Sequence, residues 1–428
     1  MSILDLPFEI LSLIFVLCLP GDGFASSREA PLLLIAVCRH WRALVLEMHE
    51  LWTTLQLRLK PRNVRKSEPL LDFWLPRAAG RRMSMRMSYK STQDYYWDLD
   101  DNIETIGVRA LVGLVSRYAE DWTEMELSLP FHALCRLNAC EAGFASLCKL
   151  VIGTTSRYAA NESPRMFANS PSLREVHILT NAVAARLELP WGQLTRMRLD
   201  NITATECTQI LARTPNLVEL VVTIWANADD HNALQPVAVE SLAQLQLLRF
   251  TLSNARGPAL LSFLTLPALD HLEIELDTLT EIAHLNALLV RSPANLRHLT
   301  VSLGASYTQD HFLQLFVGLD ALESMIVQRA NMNLDAGLAL LLARRSLLPN
   351  LQSLNIERTR SIPRDTAENV ALFARLLESR FFGDDDLGRA RLGRFRLYSP
   401  FSTAPTKLED VARILELQSQ GLDVRVRW

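Results

Sequence analysis

A triad of apolar residues at offsets 0, +3 and +5 returns throughout the chain and constrains its fold more than any other feature. It reads Trp52-Leu55-Leu57, Trp122-Met125-Leu127, Leu147-Leu150-Ile152, Leu173-Val176-Ile178, Leu194-Met197-Leu199 and Leu217-Leu220-Val222. It continues as Leu245-Leu248-Phe250, Leu269-Leu272-Ile274, Leu296-Leu299-Val301, Leu322-Met325-Val327, Leu351-Leu354-Ile356 and Leu392-Phe395-Leu397. Between 122 and 351 successive triads lie 21 to 29 residues apart. Such a period holds one strand, one loop and one helix. No single unit can bury its own apolar face, but stacked units can. Because side chains alternate along a strand, +3 and +5 share one face. The expected fold is α/β: a parallel sheet inside, helices outside.

The spacers fit that unit. Ser170-Pro171-Ser172, Thr214-Pro215-Asn216, Leu266-Pro267-Ala268, Ser292-Pro293-Ala294 and Leu348-Pro349-Asn350 each precede a triad. Proline there is expected to stop the preceding helix and preset extended backbone. Apolar residues at helical spacing predict helices over 204–213, 280–291 and 336–345. Residues 51–120 read as transitional units, with a helix around 69–79 and alternating Met83-Met85-Met87. Residues 121–360 read as regular units and 361–428 as divergent closing ones. The last interval is 41, so a unit there is lost or stretched. Asp384-Asp385-Asp386 falls in it and reads as an exposed loop; a helix over 408–419 and alternating Val424-Val426-Trp428 would close the array.

This pattern resembles the leucine-rich repeats found carboxy-terminal to F-boxes. It departs at +8, where that family often places Asn or Cys to bond loop backbone groups. Here the position holds Thr155, Asn181, Ile202, Trp225, Ser253, Asp277, Gly304, Ala330 and Thr359, and only Asn181 fits. Irregular units are expected.

Residues 1–50 form a different segment. Leu6-Pro7-Phe8-Glu9-Ile10-Leu11, then Ile14-Phe15, opens a helix. Pro7 suits the first helical position, and the Glu9 carboxylate suits the positive end of the helix dipole. Ile10, Leu13, Ile14 and Leu17 form one apolar stripe, and Phe8, Leu11 and Phe15 a second. From 31 to 45, eleven of fifteen residues are apolar. One stripe would close a small helical core, so apolar faces all round want a second partner. The same stripes also suit helices that simply cap the larger core.

The ordered string resembles an F-box, the docking module of Skp–cullin–F-box ubiquitin ligases. Leu6, Pro7, Glu9, Ile10 and Ile14 fall on the first-helix motif, and Val37, Cys38 and Trp41 on the V-C-x-x-W of its second half. The resemblance covers about 45 of 428 residues. It implies that these residues form the surface gripped by a Skp-family adaptor, and through it a cullin. The connection over 20–30 is longer than the family's usual short turn.

Composition narrows the rest. Net charge is −3, from 44 basic and 47 acidic residues, which asks for neither nucleic acid nor an anionic membrane. No secretory leader or membrane span is expected. The six cysteines, at 18, 38, 135, 140, 148 and 207, include no CxxC pair and read as reduced thiols of a cytoplasmic or nuclear protein. No nucleotide loop, zinc-protease motif or nucleophile elbow is present, so no cofactor and no enzyme activity are expected. Asp98, Asp100, Asp101 and Asn102 lack the glycine and distal glutamate of a calcium loop.

Residues at +2, +4 and +6 face away from the triads and would form the binding face of the array. Among them Arg196, Arg198, Arg249, Glu273, Glu275, Arg394 and Arg396 are candidate contacts to an unknown target protein. Two readings remain: a substrate receptor of a ubiquitin ligase, or an interaction scaffold not coupled to ubiquitination.

Overall fold

Eight strands are launched by the same tight turn. The amide of the offset-0 residue donates to the carbonyl three residues back: Leu173 to Ser170 at 3.1 Å, Leu217 to Thr214 at 3.3 Å, Leu269 to Leu266 and Leu351 to Leu348 at 3.2 Å. Pro171, Pro215, Pro267 and Pro349 occupy the second position of these turns, where a fixed φ is favourable. Proline therefore begins the turn, not the extended segment that sequence alone suggested; the strand begins four residues later. Leu147, Leu194, Leu245 and Leu322 make the same bond without proline.

A second backbone device recurs between successive strands within each half of the chain. The carbonyl at +1 accepts two amides, those of +1 and +2 in the following unit. Cys148 accepts from Arg174 and Glu175, Gln246 from Asp270 and His271, Asp270 from Arg297 and His298, and Glu323 from Gln352 and Ser353, all at 2.8–3.1 Å.

The computed structural model describes residues 6–21, 25–59, 64–78, 80–89, 113, 115–139, 143–154, 163–179, 186–224, 242–252, 258–276, 279–292, 295–303, 314–316, 318–330, 347–358, 367–382, 390–398 and 408–427. The predicted helix over 336–345, Asp98–Asn102, Asp384–Asp386, Pro293 and Asn181 lie outside them. The chain is α/β with fourteen strands in sequence order, paired in parallel within each half among the described residues, and divides into two compact units, 1–200 and 201–428.

The first unit begins with helices α1 (Phe8–Leu17), α2 (Leu34–Val37) and α3 (Arg39–Glu47). Strands β1 (Thr54–Leu59), β2 (Met83–Tyr89), β3 (Trp122–Leu129), β4 (Lys149–Thr154), β5 (Glu175–Ile178) and β6 (Arg196–Ile202) follow, with α4 (Val64–Ala78) and α5 (Phe131–Arg136) between them. Leu55, Met85, Met125, Leu150, Val176 and Met197 stand in register across this sheet.

The second unit holds β7 (Glu219–Ile224), β8 (Leu247–Leu252), β9 (His271–Leu276), β10 (His298–Leu303), β11 (Ser324–Ala330), β12 (Ser353–Arg358), β13 (Arg394–Tyr398) and β14 (Asp423–Arg427). Its helices include α6 (Ala204–Leu211), α7 (Leu279–Arg291), α8 (Ala367–Phe381) and α9 (Leu408–Ser419). Leu220, Leu248, Leu272, Leu299, Met325, Leu354, Phe395 and Val424 form the corresponding row. No residue of the twelve triads is more than 4 % exposed.

Spacer length alone does not decide what lies between strands: the 23-residue interval holds the eight-residue helix Ala204–Leu211, whereas among the described residues the 24-residue interval shows the 3-10 segment Pro258–Phe263 and the 21-residue one the 3-10 turn Trp191–Gln193. The 41-residue interval has lost no strand, since β12 pairs directly with β13; its extra length includes the fifteen-residue α8. Arg380, in the last turn of α8, is buried and donates to the carbonyls of Leu347 and Leu348 at 2.5 and 2.9 Å, closing the turn before β12.

The amino-terminal helices are built into the first strand. The Trp52 indole donates to the Val45 carbonyl of α3 at 2.9 Å, and Trp122 repeats this toward Val115 at 3.0 Å, seven residues upstream in both cases. Trp74 of α4 in turn donates to the Trp52 carbonyl at 2.7 Å. The long connection after α1 reaches β1, where the Ala25 amide donates to the Gln56 carbonyl at 2.8 Å and occupies part of an otherwise unpaired strand edge.

Candidate functional site

Two surfaces stand out, and the first lies on the amino-terminal helices. α1 turns Leu11 and Phe15 inward, where both are fully buried. Trp41 of α3 meets Phe15 edge-on at 4.8 Å. That stripe is enough to close the helices on themselves, so the rest of α1 is left to solvent. Of ten large hydrophobic residues exposed among the described residues, seven lie between positions 8 and 37: Phe8, Ile10, Leu13, Val16, Leu17, Leu33 and Val37. Leu17 is 84 % exposed and Leu13 62 %. Scattered exposed leucines need no explanation, but this concentration does.

The residues predicted for docking divide into roles. Ile10 and Val37 are exposed, as are Pro7 and Glu9, while Leu6 and Ile14 are half-buried. Pro7 caps α1 rather than beginning it, and its carbonyl accepts the amides of Ile10 and Leu11 at 3.1 Å. Cys38 caps α3, its Sγ accepting the Trp41 amide at 3.4 Å. Trp41 is half-buried, and its Nε1 is enclosed without a hydrogen-bond partner among the described residues. Phe8, Leu13, Val16, Leu17 and Leu33 were missing from the sequence-based set. For the four on α1 the signal was that helix's apolar excess; what was lacking was which stripe the core would take.

The second surface is the open face of the sheet, opposite the triads. Its charges pair across neighbouring strands and, at Arg198–Asp200 and Arg425–Asp423, along one strand. Arg86 meets Glu126 at 2.6 Å, Lys149 meets Glu175 at 2.6 Å, and Glu175 is also 3.8 Å from Arg196. Asp200 receives His177 at 2.7 Å and Arg198 at 3.1 Å, and Arg249 meets Glu273 at 2.5 Å. Arg394 and Arg425 both lie 3.4 Å from Asp423. Of the predicted target contacts, Arg196, Arg198, Arg249 and Arg394 are exposed, whereas Glu273, Glu275 and Arg396 are half-buried. Sequence offsets placed these residues on one face but did not reveal the pairing. The alternation at +2 of Glu124, Lys149, Glu175 and Arg196 was the available clue. Such pairs contribute about 0–1 kcal/mol each; their larger effect is to leave the face nearly neutral over most strands.

His271 and His298 stand in register on β9 and β10 with ring centroids 5.3 Å apart. Burial, and then the neighbouring His298, hold His271 below its usual range. Burial pushes the Cys207 thiol up to about 12, which keeps it protonated and unreactive at neutral pH. A cleft of about 180 Å³ on the open face is lined by Gln56, Arg86, Glu124, Glu126 and Lys149. It is smaller than the few hundred Å³ usual for a ligand pocket. Among the described residues no three His, Cys, Asp or Glu side chains gather as metal ligands, and no helix is long and apolar enough to cross a membrane.

The chain matches no protein-family model and none of the curated proteins compared with it.

Proposed function

We propose that this chain is the substrate-receptor subunit of a Skp–cullin–F-box ubiquitin ligase, with F-box-like helices over 1–50 followed by a leucine-rich-repeat-like array. The concentration of exposed apolar residues on α1 and α2 carries the reading. A small helical module that has already closed its core on Leu11, Phe15 and Trp41 still presents Phe8, Ile10, Leu13, Leu17 and Val37 to water. A Skp-family adaptor covering that face would remove the cost of its exposure. The open sheet face would hold the target. The chain would contribute proximity: a bound target is kept at high effective concentration near a charged ubiquitin-conjugating enzyme.

The experiment is co-precipitation of the adaptor with the full chain and with the double variant Pro7→Ala, Ile10→Asp. Ile10 is exposed, so the aspartate should leave the fold intact, which circular dichroism checks. Adaptor capture should be abolished. Undiminished capture by a folded variant refutes the docking assignment. Capture of the adaptor without cullin, or without any change in target half-life, would instead support a scaffold not coupled to ubiquitination.

A further inference from the structure

The opposite-sign pairing of the open face fails at its last two strands. Arg394, Arg396 and Arg425 occupy open-face positions of β13 and β14, and Asp423 is the one carboxylate beside them on those strands among the described residues. Asp423 already receives Arg394 and Arg425. Arg396 stands in register with Arg425 on one side and Asn355 on the other. Like charges opposite each other on adjacent strands repel. The carboxylate of Glu357, the nearest on β12, is engaged by Asn355 at 3.0 Å and Gln328 at 3.2 Å. Nε of Arg396 is enclosed and has no hydrogen-bond partner among the described residues. An enclosed donor without an acceptor is costly, more so when it carries charge. This corner of the sheet therefore has guanidinium donors in excess of acceptors.

We propose that the β13–β14 end of the open face binds a carboxylate-rich peptide segment of a protein partner, with Arg396 and Arg425 as its principal contacts. Guanidinium groups pair with carboxylates in a fork-to-fork geometry that a lysine could not reproduce. Three arginines answer a short acidic segment better than a long polyanion, and the chain as a whole carries a net charge of −3. The inference deepens the target-holding role proposed for this face and rests on that reading.

The test uses the purified full chain and a fluorescein-labelled octaglutamate peptide, with octaglutamine as the neutral control, followed by fluorescence anisotropy. Octaglutamate should bind saturably and weaken with added salt; octaglutamine should not bind. Arg396→Gln and Arg425→Gln should each weaken binding about tenfold, as loss of one charge-assisted contact does. Arg413→Gln removes the same charge from α9, where it lies 3.5 Å from Glu378, and should leave binding unchanged. Thermal unfolding of each variant reports whether it has folded, and Arg425, the more exposed of the two, keeps the test decisive if Arg396→Gln does not fold. Absence of octaglutamate binding overturns the proposal, as does equal weakening by Arg413→Gln or none in either patch variant. Tighter binding of a single-stranded oligonucleotide than of octaglutamate overturns it in favour of a polyanion site. Binding that emerges only when Asp384, Asp385 and Asp386 are changed to Asn assigns the patch to the chain's own acidic run. Adaptor co-precipitation reads the other end of the chain, so none of these failures touches the docking assignment. Peptide binding that is lost in the patch variants while every cellular partner is retained supports the acidic-segment site but refutes target holding by this face.

Discussion

Leu272→Ala is the most direct perturbation of the repeat. Leu272 is 0 % exposed, in register with Leu248 on β8 and Leu299 on β10, which are 0 % and 1 % exposed. Truncation removes three carbon atoms, worth roughly 2.4 kcal/mol in transfer free energy at about 0.8 kcal/mol each. The space left is walled by parallel strands bonded to both sides and cannot collapse fully, so a cavity cost adds to the transfer cost. We expect a total near 3–4 kcal/mol, inside the range of about 2–5 kcal/mol for buried leucine truncations. The assay is urea unfolding of wild type and variant, followed by both far-UV circular dichroism and tryptophan fluorescence. Two signals are needed because repeat arrays can unfold in parts. A loss below about 1 kcal/mol, with the two signals coincident, would refute the view that the +3 row is a tightly filled seam.

Two further outcomes follow from local geometry. Thr203 and Glu206 form a reciprocal cap at the start of α6, with the Glu206 amide on Thr203 Oγ1 at 3.2 Å and the Thr203 amide on Glu206 at 3.2 Å; Thr203→Ala should cost about 1 kcal/mol in the same urea assay, and an unchanged midpoint would show that the cap contributes nothing. His271 is held below 6.5 by burial first and His298 second, while Arg249 adds to the depression and Glu273 and Asp270 oppose it. The unfolded chain therefore takes up this proton before the folded one does, so the stability contribution is intact above about 6.5 and declines as pH falls from there toward the folded value. His271→Gln should flatten that part of the stability-against-pH curve, and an unaltered slope would exclude His271 as its source.

The sheet was legible because a strand broadcasts its buried face every second residue. Leu, Met, Val, Ile and Phe serve equally at +3 and +5, so the triads survive variation in residue type, and even Met83, Met85 and Met87 read correctly as a strand. Spacer structure was less legible: intervals of 23 and 24 residues differ by one residue, yet the first holds the helix Ala204–Leu211 and the second shows the 3-10 segment Pro258–Phe263 among the described residues. Cross-strand pairs such as Arg249 with Glu273 depend on register between units, which offsets within one unit do not contain. On α1, two apolar stripes were evident, but periodicity is silent about which of them meets a partner. Phe15 went inward where Trp41 meets it, and that is a tertiary fact.

Trp52 belongs to two structures at once: it is the first buried anchor of β1, and its indole and carbonyl tie α3 and α4 to that strand. No linker separates the helices from the sheet, so whatever docks on α1 is held by a splint rather than a tether. The distance from α1 to strands β1–β5 is then not averaged over a flexible chain whose effective concentration decays with its length. Within residues 1–200 it is set by the strands themselves, and lengthening it there would require inserting a whole strand-and-spacer unit rather than a few loop residues.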